Sequence, residues 1–292
     1  MNNTPTTLTA RRSPRTRHRG IVRAGSGSFE EGHPAGRQLC AAFTLLELMI
    51  VLAIIGLLAA ITLPAVKNIR QSNTMVAAGR QLVDDFALAR AKAISERTTV
   101  HVIFVPPTIA GMTFNNADAR DVKVGNRLLT APYTTYAIFA ERTAGDQPGR
   151  GQSRYLTAWR YLPEGILIAT NKFEDWTGQP RWNTTDPVYR PFRFDVWLFP
   201  TSGGNPQPVP HVTFGPNGAP IVRDSSGTVV IQDEVIPLAR GSILAHRDNT
   251  GAVDEFDVRE SPPGNASDTN SFHLVRIDGL TGRAHVETKA LY

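Results

Sequence analysis

One apolar stretch decides the fold of this chain: residues 43–63 read FTLLELMIVLAIIGLLAAITL, with Glu47 as the only charged residue. At about 1.5 Å per residue, a helix over these residues spans about 31 Å, which matches the hydrocarbon core of a bilayer. An ordinary secretory signal has a shorter apolar region, with small residues after it at the cleavage site. Here the small pair Ala41-Ala42 precedes the stretch, so cleavage at that point leaves the apolar helix on the mature protein.

The positive charge of the chain lies before this stretch. The full sequence of 292 residues has 31 Lys+Arg and 26 Asp+Glu, a net charge of +5. Residues 1–42 carry this whole excess, whereas residues 43–292 are neutral. Because Lys and Arg concentrate on the cytoplasmic side of membrane segments, we expect the N-terminus in the cytoplasm and the C-terminal part outside it. The neutral remainder gives no electrostatic argument for nucleic-acid binding.

The pattern of apolar residues divides the chain into three segments. Residues 1–42 have no apolar periodicity and are predicted to form a disordered basic leader. Residues 43–97 are predicted to form one long helix, apolar on all sides in its first half, kinked at Pro64 and amphipathic in its second half. Residues 98–292 contain short β-branched runs separated by Gly and Pro turns, which predicts an antiparallel β domain packed on the helix. The expected fold class is therefore α+β.

The apolar residues of these segments also predict individual elements. In the second half of the helix they recur at spacings of three, four and seven, which indicates one buried stripe with the charged residues away from it. The stripe consists of Val76, Val83, Phe86, Ala87 and Ile94, with Leu82 and Ala93 beside it. Strands are expected at residues 98–105, 127–129, 134–140, 155–161, 166–169, 192–199, 209–214, 220–222, 228–231, 242–246, 253–258, 272–277 and 284–288.

Composition and motifs exclude several classes of protein. A hydrophobic content of 41% is too low for a polytopic membrane protein. Cys40 is the only cysteine, which excludes an intrachain disulfide and a cysteine-based zinc cluster. Because no HExxH, P-loop, dinucleotide-binding or G-x-S-x-G motif is present, no enzyme is expected. No cofactor is expected either; the acidic residues between Asp248 and Asp257 lack the spacing of an EF-hand and favour a solvated turn, with calcium binding as the alternative.

Glu47 is the most informative residue of the apolar stretch. A carboxylate near the centre of a membrane helix costs roughly 2.5–3.5 kcal/mol, so it either lies near the helix end, where a charge is tolerated, or needs a positive partner. Cleavage between Ala42 and Phe43 creates such a partner, the amino group of Phe43. The functional hypothesis is that the Glu47 of one subunit neutralises the Phe43 amine of its neighbour in a low-dielectric assembly.

These residues resemble the prepilin-type signal of type IV pilins and type II secretion pseudopilins. The resemblance implies that a prepilin peptidase cuts between Ala42 and Phe43 and then N-methylates Phe43. It also implies an assembly role for Glu47, the fifth residue of the mature chain. Gly56 and Pro64 fall where the family often has Gly and Pro. The sequence departs from the family in having Ala42, where Gly is usual, and a long leader.

Within this family the chain is most similar to the GspH/FimT-type minor pseudopilins. The similarity lies in residues 79–97, which end the helix with ALARAKAI, and in the turn-like segments 161–165, 212–218 and 275–283. It implies a pilin-like fold and a structural subunit of a type II secretion pseudopilus. The expected partners are the prepilin peptidase, other pseudopilins and the inner-membrane assembly platform. The expected location is the inner membrane, crossed once with the C-terminal domain in the periplasm, and then the filament.

Two other functions stay open at the level of sequence. The first is a FimT-like minor pilin of a type IV pilus, acting in pilus assembly or DNA uptake. The neutral mature chain argues against DNA binding, but a local cluster such as Arg181, Arg190 and Arg193 could still serve it. The second is an unrelated membrane-anchored enzyme or binding domain.

Overall fold

The computed structural model combines helices with antiparallel strands, which confirms the expected α+β class. The chain divides into two compact units, Met1–Ile55 and Gly56–Tyr292. The predicted leader and Phe43 lie outside the described residues. The structure describes residues 44–112, 114, 118–143, 145–147, 151–173, 190–223, 226–263 and 273–288, with the backbone alone for residues 61–72.

The helices and strands have the following bounds. Helix α1 covers Leu45–Glu96, helix α2 covers Ala119–Leu128, and two short 3-10 helices cover Pro107–Gly111 and Thr170–Phe173. The strands are β1 (Val100–Phe104), β2 (Thr135–Ala140), β3 (Arg154–Tyr155), β4 (Arg160–Tyr161), β5 (Ile166–Ile168), β6 (Arg193–Phe199), β7 (Asn205–Phe214), β8 (Val222–Arg223), β9 (Val229–Val230), β10 (Glu234–Arg247), β11 (Val253–Glu260), β12 (His273–Ile277) and β13 (Ala284–Thr288). Among the described residues, no helix carries an apolar run long enough to cross a membrane.

The strands form two antiparallel sheets and a small hairpin. The first sheet has the order β3-β2-β1-β7-β6; β3 pairs with the last residues of β2, and β4 pairs with its first residues. The second has the order β11-β10-β12-β13, with β5 on β10. The 14-residue strand β10 pairs with β12 and β5 through its first half and with β11 through its second half. Strands β8 and β9 pair with each other.

Strand β1 separates two apolar cores because its side chains alternate between the faces of the first sheet. Val102 and Phe104 belong to the larger core, which also contains Phe86 of α1. Ile103 points to the opposite face and belongs to a second core with Leu128 of α2. The first sheet is therefore covered by α1 on one face and by α2 on the other, and this explains why all of β1 is buried.

The buried face of α1 differs in part from the predicted stripe. Phe86 is buried as expected, but Val76 and Ile94 are 39% and 41% exposed, and Asp85 is only 3% exposed. The small alanines, rather than the bulkier Val76 and Ile94, face the sheet, because they allow the helix to approach it closely. The observed seam consists of Met75, Ala78, Leu82, Phe86, Ala89 and Ala93.

Asp85 is buried because it joins α1 to the first sheet. Its Oδ2 accepts a hydrogen bond of 2.6 Å from the hydroxyl of Tyr136, and its Oδ1 forms an ion pair with Arg160. Gln81, one turn earlier, donates to the same hydroxyl and to the carbonyl of Tyr161. Buried polar atoms need such partners, so the charge that periodicity placed on the solvent side fixes the position of the helix.

The strand predicted at residues 127–129 is wrong, and two other predicted strands begin earlier than expected. Residues 127–129 close helix α2 and do not form a strand; the buried residues of α2, Asp121, Gly125 and Leu128, recur with helical spacing. The strand predicted at residues 209–214 begins at Asn205, and Pro206, Pro208 and Pro210 occupy alternate positions of β7. Their missing N–H groups point away from β6, and β1 pairs only with residues 211–214. Pro237 lies in the first half of β10, so the strand predicted at residues 242–246 begins at Glu234 instead.

Candidate functional site

The predicted processing site adjoins the first turn of helix α1. Ala42 and Phe43 lie outside the described residues, and Thr44 is the first residue described. The Thr44 hydroxyl accepts a 3.1 Å hydrogen bond from the backbone N–H of Glu47. This is the N-cap arrangement of a helix, and a glutamate three residues after a capping threonine is the signature of a capping box. Thr44 therefore explains why the helix begins at Leu45.

Glu47 itself is exposed in the first turn of the helix. A negative charge is favourable there because it faces the positive end of the helix dipole. The Glu47 carboxylate thus has a local stabilising role in addition to the pairing with the Phe43 amine that the sequence predicts. The two roles make different demands on the side chain, since a capping box accepts glutamine and an ion pair does not.

The apolar side chains on either side of Glu47, from Leu45 to Leu58, are exposed on every side of the helix. A helix that is apolar all round is stable only when something covers it. Burial of each Leu or Ile is worth about 1.5–3 kcal/mol, so covering the set strongly favours association. The side chains, between 39% and 77% exposed, are Leu45, Leu46, Leu48, Met49, Ile50, Val51, Leu52, Ile54, Ile55, Leu57 and Leu58.

The structure places Gly56 and Pro64 within the same helix. A Cβ atom built on Gly56 would meet no atom within 4 Å, so the chain's own packing does not demand a glycine there. Pro64 lies inside α1, and the helix does not end at it. Their predicted role in assembly stays a prediction.

A buried ionic cluster lies in the Gly56–Tyr292 unit, and the sequence did not indicate it. Lys172 is fully buried; its Nζ donates to Glu234 Oε1 at 2.6 Å and lies 4.8 Å from the centre of the Phe192 ring. Arg190 donates to the other oxygen of Glu234 at 2.8 Å. Burial alone would raise the pKa of Glu234, but the two cations hold it below its usual value. The cluster joins β10 to Lys172 of the second 3-10 helix and to Arg190.

The arginines proposed for DNA binding do not form a free cluster. Arg190 is only 7% exposed and forms an ion pair with Glu234. Arg193, at the start of β6, lies 3.8 Å from Asp195. Arg181 lies outside the described residues. Because phosphate contacts require accessible cations, the burial of Arg190 corrects the expectation that these three arginines act together.

Two buried histidines lie side by side on the first sheet. The ring centres of His101 and His211 are 5.7 Å apart, and the Trp197 ring lies tilted against His101 at 4.4 Å and edge-to-face with His211 at 4.7 Å. His101 Nδ1 lies 2.9 Å from Thr213 Oγ1. Burial lowers the pKa of His101 to about 3 and that of His211 to about 4. Both rings are therefore neutral at physiological pH and form part of the apolar packing.

Two of the acidic residues considered for calcium, Asp248 and Asp257, have other partners. Asp248 Oδ1 accepts hydrogen bonds from the backbone N–H groups of Thr250 and Ala252 and from the Thr250 hydroxyl, at 2.6–3.0 Å. Asp257 lies 2.8 Å from Arg259. Within the described part of the chain, no group of three or more His, Cys, Asp or Glu residues is arranged to hold a metal ion. Asp248 thus stabilises the turn between β10 and β11.

Comparison with known proteins identifies the N-terminal segment. Residues 37–63 match the prokaryotic N-terminal methylation motif. No curated protein and no solved structure matches the chain. The matched segment contains the predicted cleavage point, Glu47 and the apolar half of the helix up to Leu63. The chain therefore carries a prepilin-type methylation motif, which indicates a type IV pilin-like protein processed by a peptidase and assembled with other pilins.

Proposed function

We propose that this chain is a minor pseudopilin, a structural and non-catalytic subunit of a type II secretion pseudopilus. One observation carries the proposal: the methylation motif at residues 37–63 includes the first half of a helix whose apolar side chains are exposed on all sides. A filament in which such helices pack together covers those side chains. The similarity of residues 79–97 and of three later turns to H-type minor pseudopilins supports the choice among pilin-like subunits.

The proposed cycle starts with insertion of the precursor into the inner membrane. The arginines of residues 1–42 keep the leader in the cytoplasm. The apolar run, residues 43–63, extends at both ends beyond the described side chains and has the length of a bilayer-spanning helix. Prepilin peptidase then cuts before Phe43 and methylates its amino group. The β domain faces the periplasm throughout.

Assembly exchanges lipid for protein around the apolar helix. When a subunit leaves the bilayer, its exposed leucines and isoleucines must meet the helices of neighbouring subunits, because contact with water would cost the burial free energy of each side chain. Glu47 then meets the Phe43 amine of a neighbour, and this ion pair sets the register of the two helices. The inner-membrane assembly platform is the proposed site of this exchange.

Deletion of the gene tests which filament the chain serves. Loss of this subunit is expected to leave type II substrates in the periplasm, and a plasmid copy should restore their secretion. Pili and uptake of DNA should be unchanged. Normal secretion together with lost pili or lost DNA uptake would instead support the type IV pilus alternative and contradict the proposal. The control is the same deletion complemented with a copy that lacks residues 43–63.

A further inference from the structure

A cleft lies in the Gly56–Tyr292 unit between helix α2 and the ends of strands of the first sheet. Its volume is about 490 Å³, within the usual range of binding clefts. Helix α2, the segment from β3 to β4, and the turn between β6 and β7 form its walls. Arginine and aromatic side chains line it, including Arg120, Arg127, Arg154, Tyr155 and Trp159.

Asp121 is the unusual side chain of this cleft. It is 2% exposed, and its Oδ1 accepts a hydrogen bond from the Thr201 hydroxyl. Its other oxygen, Oδ2, is buried and has no hydrogen-bond partner among the described residues. A buried carboxylate oxygen without a donor is costly. The cleft thus presents an acceptor that a ligand with an N–H or O–H group would satisfy.

The absence of a side chain at Gly203 leaves room beside that acceptor. A Cβ atom at this position would lie 3.2 Å from Asp121 Oδ2. Such a contact is closer than ordinary packing of carbon against oxygen, so any larger residue would crowd the carboxylate. Gly203 also donates its N–H to Thr201 Oγ1 at 3.2 Å, which holds the turn against Asp121.

The arginines of the cleft supply positive charge that could pair with an anionic group of a ligand. Arg120 and Arg127 lie seven residues apart on α2, which places them on one face of the helix. Both are exposed, and neither forms an ion pair with another described residue. Arg154 lies 3.3 Å from Asp146. Guanidinium groups beside aromatic rings are well suited to carboxylates attached to an apolar or aromatic body.

We propose that this cleft binds an acidic peptide segment of a partner protein. A peptide carboxylate pairs with Arg127 and Arg120, and a backbone N–H of the same peptide donates to Asp121 Oδ2. Tyr155 and Trp159 pack against the side chain between these two points. The proposal concerns the globular unit and holds whichever filament the chain serves.

The same lining disfavours a nucleic acid as the ligand. Asp118 and Asp121 place two carboxylates among the three arginines. A phosphodiester backbone offers acceptors for the arginines but has no N–H donor for Asp121 Oδ2, so it would leave that buried oxygen without a partner. A peptide offers both an acceptor for the arginines and a donor for the aspartate.

Binding of a labelled peptide to the full-length chain in a neutral detergent tests the proposal. The probe is fluorescein-labelled Gly-Glu-Asp-Phe-Glu-Asp-Gly, and the measurement is fluorescence anisotropy. We expect saturable binding with a dissociation constant on the order of 10–100 µM. The substitution Arg127→Glu should weaken it by at least about tenfold, because it converts an attraction into a repulsion. Gly203→Ala should also weaken it by crowding Asp121.

Matched controls separate the cleft from general charge effects. Arg283→Glu reverses an exposed arginine outside the cleft and should leave the affinity unchanged. The peptide Gly-Gln-Asn-Phe-Gln-Asn-Gly, which lacks the carboxylates, should bind at least about tenfold more weakly. Equal binding of the two peptides, or unchanged binding by both Arg127→Glu and Gly203→Ala, would overturn the proposal. Preferential binding of a labelled oligothymidylate, lost in Arg127→Glu, would overturn it in favour of a nucleic-acid site.

Discussion

The substitution Glu47→Gln is expected to leave membrane insertion and cleavage intact while abolishing incorporation into the filament. Glutamine can replace glutamate in a capping box, so the helix start at Thr44 is preserved. The charge that pairs with the Phe43 amine is lost. Removing one partner of a buried ion pair costs about 3–5 kcal/mol, which is more than about a hundredfold in the association of two subunits.

The measurement is the ratio of the subunit in the sheared filament fraction to the subunit in the membrane. Glu47→Asp, which keeps the charge, should retain part of the incorporation. Glu164→Gln removes an exposed carboxylate from the globular part and serves as the control that should behave as wild type. Thr44→Ala removes the cap at a cost of about 1 kcal/mol and should lower incorporation only slightly. Wild-type incorporation of Glu47→Gln would show that Glu47 acts through the helix cap alone.

Acidification is expected to destabilise the globular unit through His101 and His211. The pKa of both side chains is lowered by burial, to about 3 and about 4, whereas an unfolded histidine titrates near 6.5. Below about pH 6.5 the unfolded chain therefore binds protons that the folded chain does not. The stability contributed by the neutral rings is fully present above that pH and is lost as the pH falls toward 4.

The size of this effect follows from the linkage between protonation and folding. At about pH 5, each histidine is expected to reduce the free energy of unfolding by about 2 kcal/mol relative to pH 7. The carboxylates of Glu141 and Glu234 raise the pKa of His101 and His211 respectively, but burial outweighs them and leaves both pKa values low. Denaturant unfolding at the two pH values, followed by tryptophan fluorescence, measures the difference.

Single substitutions assign this pH dependence to the two rings. His101→Gln and His211→Gln should each remove about 2 kcal/mol of the difference between the two pH values. His246→Gln changes an exposed histidine of β10 and is the matched control. If His101→Gln and His211→Gln keep the wild-type pH dependence, other groups titrate on unfolding and the buried neutral rings are not its source.

The N-terminal segment and the fold class could be predicted because their signals are local. A single charge in an apolar run made Glu47 conspicuous, and the motif match at residues 37–63 rests on the same contiguous residues. The β-branched runs located most strands of the sheets. The prolines of β7 and β10 made the predicted strands too short, because the sequence does not show which side of a strand lacks a hydrogen-bond partner.

The polar contacts inside the globular unit could not be predicted in this way. Lys172 and Glu234 are 62 residues apart, and Asp121 and Thr201 are 80 residues apart. Asp85 has the periodicity of a solvent-facing residue and is buried only because Tyr136 and Arg160 lie opposite it. In each case a partner supplied by the tertiary fold stabilises the charge in the interior. Because that partner is distant in sequence, no local pattern predicts it.

Mass spectrometry of the mature protein, purified from the membranes of cells that contain a prepilin peptidase, is the most direct test of the central claim. The account predicts that residues 1–42 are absent and that the remaining 250 residues begin at Phe43. The amino group of Phe43 should carry one methyl group. A chain that retains the leader and its Cys40, or that begins at any other residue, would contradict the account, because Glu47 would then have no methylated amine with which to pair.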